Sequence, residues 1–201
     1  MNKIQGRQSD DSMKTTQKPV LVWLIIMFLV TFTSSLVYLV AQQSIRLGAN
    51  ELPIQLAIDT SLKLENGQNP GLISTDKLDI SKSLSPFVMV FDTNKNLLST
   101  SGMIGNLKPN YPKGVLDSVD KNGEVKVTWQ PQTGLRYATV ALKTNSDYIV
   151  AGRSLSEPEK LIDTIGKLVL EAWLACAIFS IFALAIIYAF IKKVFKETNE
   201  M

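Results

Sequence analysis

The chain has 201 residues, 46% of them hydrophobic and 19% charged, with 21 Lys or Arg against 18 Asp or Glu and a formal net charge of +3. That near balance carries no nucleic-acid footprint, and the absence of histidine excludes a Ser-His-Asp triad, imidazole zinc ligation and a histidine phosphorelay. A single cysteine leaves the chain without an internal disulfide, so any folded domain must hold together by its core.

In chain order, residues 1–19 are polar, carry Lys3, Arg7, Lys14 and Lys18, and are expected to form an unstructured tail. Residues 20–41, "VLVWLIIMFLVTFTSSLVYLVA", contain no charge. At about 1.5 Å per residue they cross a hydrocarbon core of roughly 30 Å as one helix. The run is longer than the apolar region of a signal peptide, and Leu39 is a poor small-residue partner for a cleavage at Ala41, so the span is expected to be retained. Residues 168–191 make a second span with one charged residue, Glu171, near its outer end. Lys192, Lys193 and Lys196 follow it directly. With basic residues outside both spans, residues 1–19 and 192–201 are expected on the cytoplasmic side and residues 42–167 across the membrane. That middle segment carries 14 Lys or Arg against 13 Asp or Glu, a net of +1. Neither cytoplasmic part is large enough for an output domain, so action through a separate partner is expected.

After the first span a helix is expected to break near Gly48 and Pro53, then resume with Ile54, Ala57, Ile58 and Leu62 as its apolar face and stop at Asn66 and Gly67. Residues 72–85 read as a connector. "FVMVFD" (87–92) is apolar on both faces, as a covered central strand must be. "TNKN" is a turn and residues 97–100 a return strand. Residues 111–123 suit a short helix packing Val115, Leu116 and Val119 and stopping at Gly123. Residues 124–130 alternate Val125, Val127 and Trp129 against Lys126 and Thr128, and residues 135–142 and 148–153 complete a meander with turns at "PQTG" and "TNSD". The fold class is α+β: an antiparallel sheet of about five strands with helices laid on it. From "SEPEK", with Ser156 as cap, Glu159 closing the capping box and Pro158 in the first turn, helical residues run to about Lys196. Such a helix is a rod of about 60 Å.

The order "PFVMVFDTNKNLLSTSG", helix, "VTWQPQTGLRYATVAL", "YIVAGRSLSE", outgoing helix resembles the extracytoplasmic PAS-like (single Cache) sensor domains of bacterial sensor histidine kinases, here without a kinase portion. The resemblance covers residues 42 to about 166 and the two-span topology. It implies a membrane-anchored PAS-like domain whose first hairpin is residues 87–100 and whose last helix carries a signal. A bacterial inner-membrane location and an accessory sensory role follow from it as expectations.

No catalytic residue, metal ligand set or cofactor-binding loop stands out, and no enzyme activity is expected. The candidates for contact with a small ligand are Trp129, Arg136, Tyr137, Tyr148 and Arg153, because meander strands can present aromatic and guanidinium groups to a pocket between sheet and helix. The structural alternative for each is core packing for the aromatic rings and local ion pairing for the arginines. In the second span Ala172, Cys176 and Ser180 form a small-residue stripe suited to close helix packing against a partner or a second copy. The expected partners are the lipid bilayer, a separate signalling or envelope protein, and a second copy in a homodimer, with no nucleic acid. A different class of function is also open, that of a structural or assembly subunit whose outer domain docks an envelope or transport protein.

Overall fold

A computed structural model describes residues 2–73, 77–145 and 147–199, with side chains described in the terminal helices only between 19 and 194. It divides into two compact units: Gln42–Ile162, and the two chain ends, up to Ala41 and from Asp163.

The unit of the two ends contains helix α1 (Asn2–Gly48), up to Ala41, and helix α4 (Ser156–Asn199), from Asp163. Both helices are long and apolar enough to cross a membrane. Their large side chains face outward, with Phe28, Ile178 and Phe179 exposed by 69%, 69% and 77%. The polar residues before Pro19, expected as an unstructured tail, belong to α1 instead. Extending a helix already nucleated by the apolar run costs little. Within the unit the helices approach along Trp23, Met27, Tyr38, Gly166, Trp173 and Ser180. A side chain on Gly166 would meet the Tyr38 ring at 3.2 Å.

The other unit begins as α1 ends. The chain breaks at Ala49 and Asn50, then re-enters helix α2 (Glu51–Glu65), with Pro53 inside the first turn, where its missing N–H costs no hydrogen bond. Pro53 therefore starts the helix and does not interrupt it. The apolar face also differs from expectation. Pro53, Ala57 and Thr60 are buried, whereas Ile58 and Leu62 are 44% and 52% exposed. The Thr60 hydroxyl donates to the Leu56 carbonyl at 2.6 Å, so a nominally polar residue fits the buried face and rotates the helix away from the all-aliphatic stripe.

The sheet has five antiparallel strands: β2 (Phe87–Phe91), β3 (Leu97–Thr100), β5 (Glu124–Gln132), β6 (Leu135–Lys143) and β7 (Tyr148–Ser154), in the order β3-β2-β7-β6-β5. The hairpin and the meander thus join through β2 and β7, with Phe87 opposite Gly152 and Phe91 opposite Tyr148. The stretch expected as a connector holds a second small sheet: β1 (Leu78–Asp79) pairs in parallel with β4 (Gly102–Met103). Two-residue strands have no periodicity to detect. Backbone bonds from Leu78 N–H to the Ser101 carbonyl and from Ile80 N–H to the Met103 carbonyl, at 2.7 and 2.8 Å, hold the pair, and the Asp79 carboxylate adds acceptance from Ser81 N–H, the Ser81 hydroxyl and Gly105 N–H.

One face of the sheet carries Phe87, Met89, Phe91, Trp129, Tyr137, Tyr148 and Val150, covered by Ile80, Tyr111 and Leu116 and Val119 of helix α3 (Lys113–Asn122). The other face carries Val88, Ile149 and Ala151, packed on Ala57 of α2 with Leu56 and Leu64 beside it. Burial of all five residues of β2 follows from this two-sided cover.

Candidate functional site

The five candidate ligand residues lie on both faces of the sheet and form no common surface. Trp129 and Tyr137 belong to an aromatic core and are 4% and 1% exposed. Their rings lie 5.6 Å apart, Tyr137 meets Phe87 edge-on at 5.4 Å, and Tyr111 meets Trp129 at 5.4 Å. The hydroxyls are used inside the fold. Tyr137 donates to the Ile80 carbonyl at 2.7 Å, and Tyr111 and Thr139 share a bond of 3.0 Å. Burial pushes the Tyr111 hydroxyl up to about 12, so it stays neutral in any ordinary medium.

Tyr148 lies on that same face at the far end of β7. Its hydroxyl donates to both Asp120 oxygens, at 2.7 and 2.9 Å, and its ring lies under Lys95 and Lys143, 5.6 and 5.3 Å from the centroid. Asp120 also accepts from Lys143 at 2.5 Å and Lys95 at 3.3 Å, and Lys95 pairs with Asp117. The Lys143 ammonium, followed by the Tyr148 hydroxyl, holds the Asp120 carboxyl down at about 2. Every charge in this network has an opposite partner, so it fastens α3 to the sheet end and offers no vacant valence to a ligand.

Arg136 and Arg153 stand on the opposite face. Arg153 is half-buried on β7 across from Ala138. Arg136 reaches the first turn of α4 and pairs with Glu159, while its carbonyl accepts from Leu155 N–H at 2.8 Å. Glu159 therefore does not close a capping box, and Ser156 is not the cap: the Ser154 hydroxyl accepts from Ser156 N–H at 3.2 Å. The guanidinium of Arg136 offers the stronger charge-assisted bond, which is why the carboxylate turns toward the sheet. Around this pair lies a cleft of about 210 Å³, rimmed by Arg46, Asn50, Thr128, Arg136 and Glu159 above an apolar floor of Ala138 and Leu155. Arg46 pairs with no carboxylate among the described residues.

Arg46 and Asn50 were not legible as site residues, because the register that sets Leu155 beside Arg136 and brings α1's end to the same cleft is a long-range property. Charge followed the apolar run after Ala41, but a basic residue there is also an ordinary flank. Among the described residues no group of three or more metal-ligating side chains occurs.

In the unit of the two ends, the small-residue stripe divides. Ser180 faces the helix pair and accepts from the Trp23 indole at 3.1 Å, whereas Ala172 and Cys176 are exposed on the outer side. A second indole, Trp173, donates to the Thr31 hydroxyl at 2.9 Å.

No family model, curated protein or solved structure is significantly similar to the chain.

Proposed function

We propose that the chain is a two-span inner-membrane protein of a bacterium with both termini cytoplasmic, whose middle segment is an extracytoplasmic PAS-like sensory domain acting on a separate signalling partner, without catalysis of its own. The observation that carries this reading is the junction of β7 and α4. The last strand of the sheet, central and almost wholly buried, passes through the single residue Leu155 into a helix of 44 residues that contains a membrane-length apolar run. A change in the sheet at Arg136 bears on the first turn of that helix through the Glu159 pair. The union of hairpin and meander in one five-stranded sheet is what a PAS-like domain requires and supports the same reading.

The test is mild-detergent purification of the full-length protein from its native cell, with identification of what is retained. Recovery of a kinase or chemoreceptor supports the sensory role, and loss of that partner's response in Arg136→Ala ties it to the junction. Recovery of envelope or transport subunits with no signalling protein contradicts it.

One observation favours a docking subunit instead: the aromatic face is filled by the domain's own rings. On that reading no small molecule stabilises the protein, and a stoichiometric complex is its working form. A ligand-induced rise of several degrees in the unfolding temperature of the full-length protein counts against it.

A further inference from the structure

We propose that the cleft between the end of α1, β6 and the start of α4 is an oxyanion site for a phosphate group, free or as a lipid phosphodiester, held between Arg46 and Arg136. The site stands independently of the sensory reading; only its consequence for α4 rests on that reading.

Two guanidinium groups line one small cleft with a single carboxylate, so the rim has an excess of one positive charge. Arg46 has no carboxylate partner among the described residues, and its planar fork of N–H donors matches a phosphate. Arg136 is paired, but to Glu159, and both side chains of that pair are substantially exposed, at 44% and 40%. An ion pair so placed is screened and weak, and a phosphate bridging two arginines replaces it with stronger charge-assisted bonds. Thr128 and Asn50 add neutral polar groups at the rim. A cleft of about 210 Å³ takes a phosphate and excludes ligands of the usual cofactor size. The floor of Ala138 and Leu155 keeps water from one side of the ion and strengthens its bonds to the rim.

Occupancy has a structural consequence. The phosphate and the Glu159 carboxylate compete for Arg136, so binding releases the first turn of α4 from β6. The lipid source is natural by chain distance, since Arg46 and Glu159 stand near the ends of the two apolar runs at Ala41 and Leu168.

The full-length protein in phospholipid-free maltoside micelles, at fixed ionic strength with chloride as control, is titrated with sodium phosphate and, separately, with dihexanoyl phosphatidylglycerol, following the unfolding temperature. A saturable rise is expected, weakened roughly tenfold or more in Arg46→Gln by loss of charge-assisted bonds and strengthened in Glu159→Gln, which removes the competing carboxylate. A response to inorganic phosphate identifies the free ion, and a response to the lipid alone identifies the headgroup. No rise with either, or equal rises in wild type and Arg46→Gln, overturns the site. Saturable binding with unchanged amide exchange across residues 156–162 leaves the site standing and removes its link to the sensory reading.

Discussion

Tyr111 and Tyr137 are both buried tyrosines with hydrogen-bonded hydroxyls, yet their loss should differ. In Tyr111→Phe the Thr139 hydroxyl keeps its bond to the Val127 carbonyl at 3.0 Å, so the expected cost is about 1 kcal/mol. In Tyr137→Phe the Ile80 carbonyl loses the hydroxyl that donates to it, and the cost rises to about 1–3 kcal/mol. Denaturant unfolding of the two variants in detergent separates them, and a Tyr111→Phe loss larger than that of Tyr137→Phe contradicts the assignment. Tyr111 and Asp120 give pH dependence of opposite sign. Tyr111 titrates near 12 in the fold against an ordinary 10.0, so its contribution is complete below pH 10 and is lost as pH rises through about 12. Asp120 titrates at about 2 against an ordinary 3.8, so its contribution is present above about pH 4 and is lost as pH falls toward 2. Asp120→Asn should flatten the acid limb of the stability curve between those values and also soften the alkaline limb, because the Asp120 carboxylate raises the Lys143 ammonium above its ordinary range. At this scale residue type was a poor guide: Trp129 and Arg136 both suit a ligand, and only the face each occupies separates them. Trp129 sits at an odd position of an alternating strand and so belonged with Val125 and Val127, which is the signal for a core role.

Among elements, the pairing of β2 with β7 carries the sheet, and it depends on a close approach at one residue. The Phe87 ring lies over Gly152, and a Cβ there would fall 2.5 Å from its Cζ and 3.0 Å from the Thr139 methyl. Gly152→Ala is expected to destabilise the full-length protein by about 1–3 kcal/mol through overpacking. A neutral outcome by thermal unfolding would show that the central pair has slack. In the helix pair, Ser180→Ala leaves the Trp23 indole without its acceptor and should weaken helix association by about 0.6 kcal/mol, measured by steric trapping in bilayers. Strand periods and the polar turns between them made the five strands legible, since β5 alternates and β2 is apolar throughout. Helix α2 was less so. Its aliphatic residues Ile58 and Leu62 imitate a buried face, while the true face uses Ala57 and a self-satisfied Thr60, with Leu56 and Leu64 packed beside them. The parallel pair of β1 and β4 was invisible for a third reason, since two residue pairs joined by long-range backbone bonds leave no period in the sequence.

For the whole molecule, two long apolar runs, with Glu171 their only charge, separated by a nearly neutral segment announced two helices and one intervening sheet domain, and both are present. Hydropathy reads such runs well because a bilayer leaves helices few alternatives. It says nothing about which loop face meets which helix, and the Arg46 and Arg136 cleft is a product of that assembly. In the proposed topology the sheet domain lies across the membrane from both termini. That placement is tested most directly in a Cys176→Ala background carrying either Lys108→Cys, exposed in the sheet domain, or Thr198→Cys, beyond the second apolar run. Intact cells are treated with a membrane-impermeant maleimide. Labelling is expected of the Lys108→Cys protein in intact cells and of the Thr198→Cys protein only after the membrane is opened. Labelling of the tail variant in intact cells, or of the domain variant only after opening, contradicts that topology.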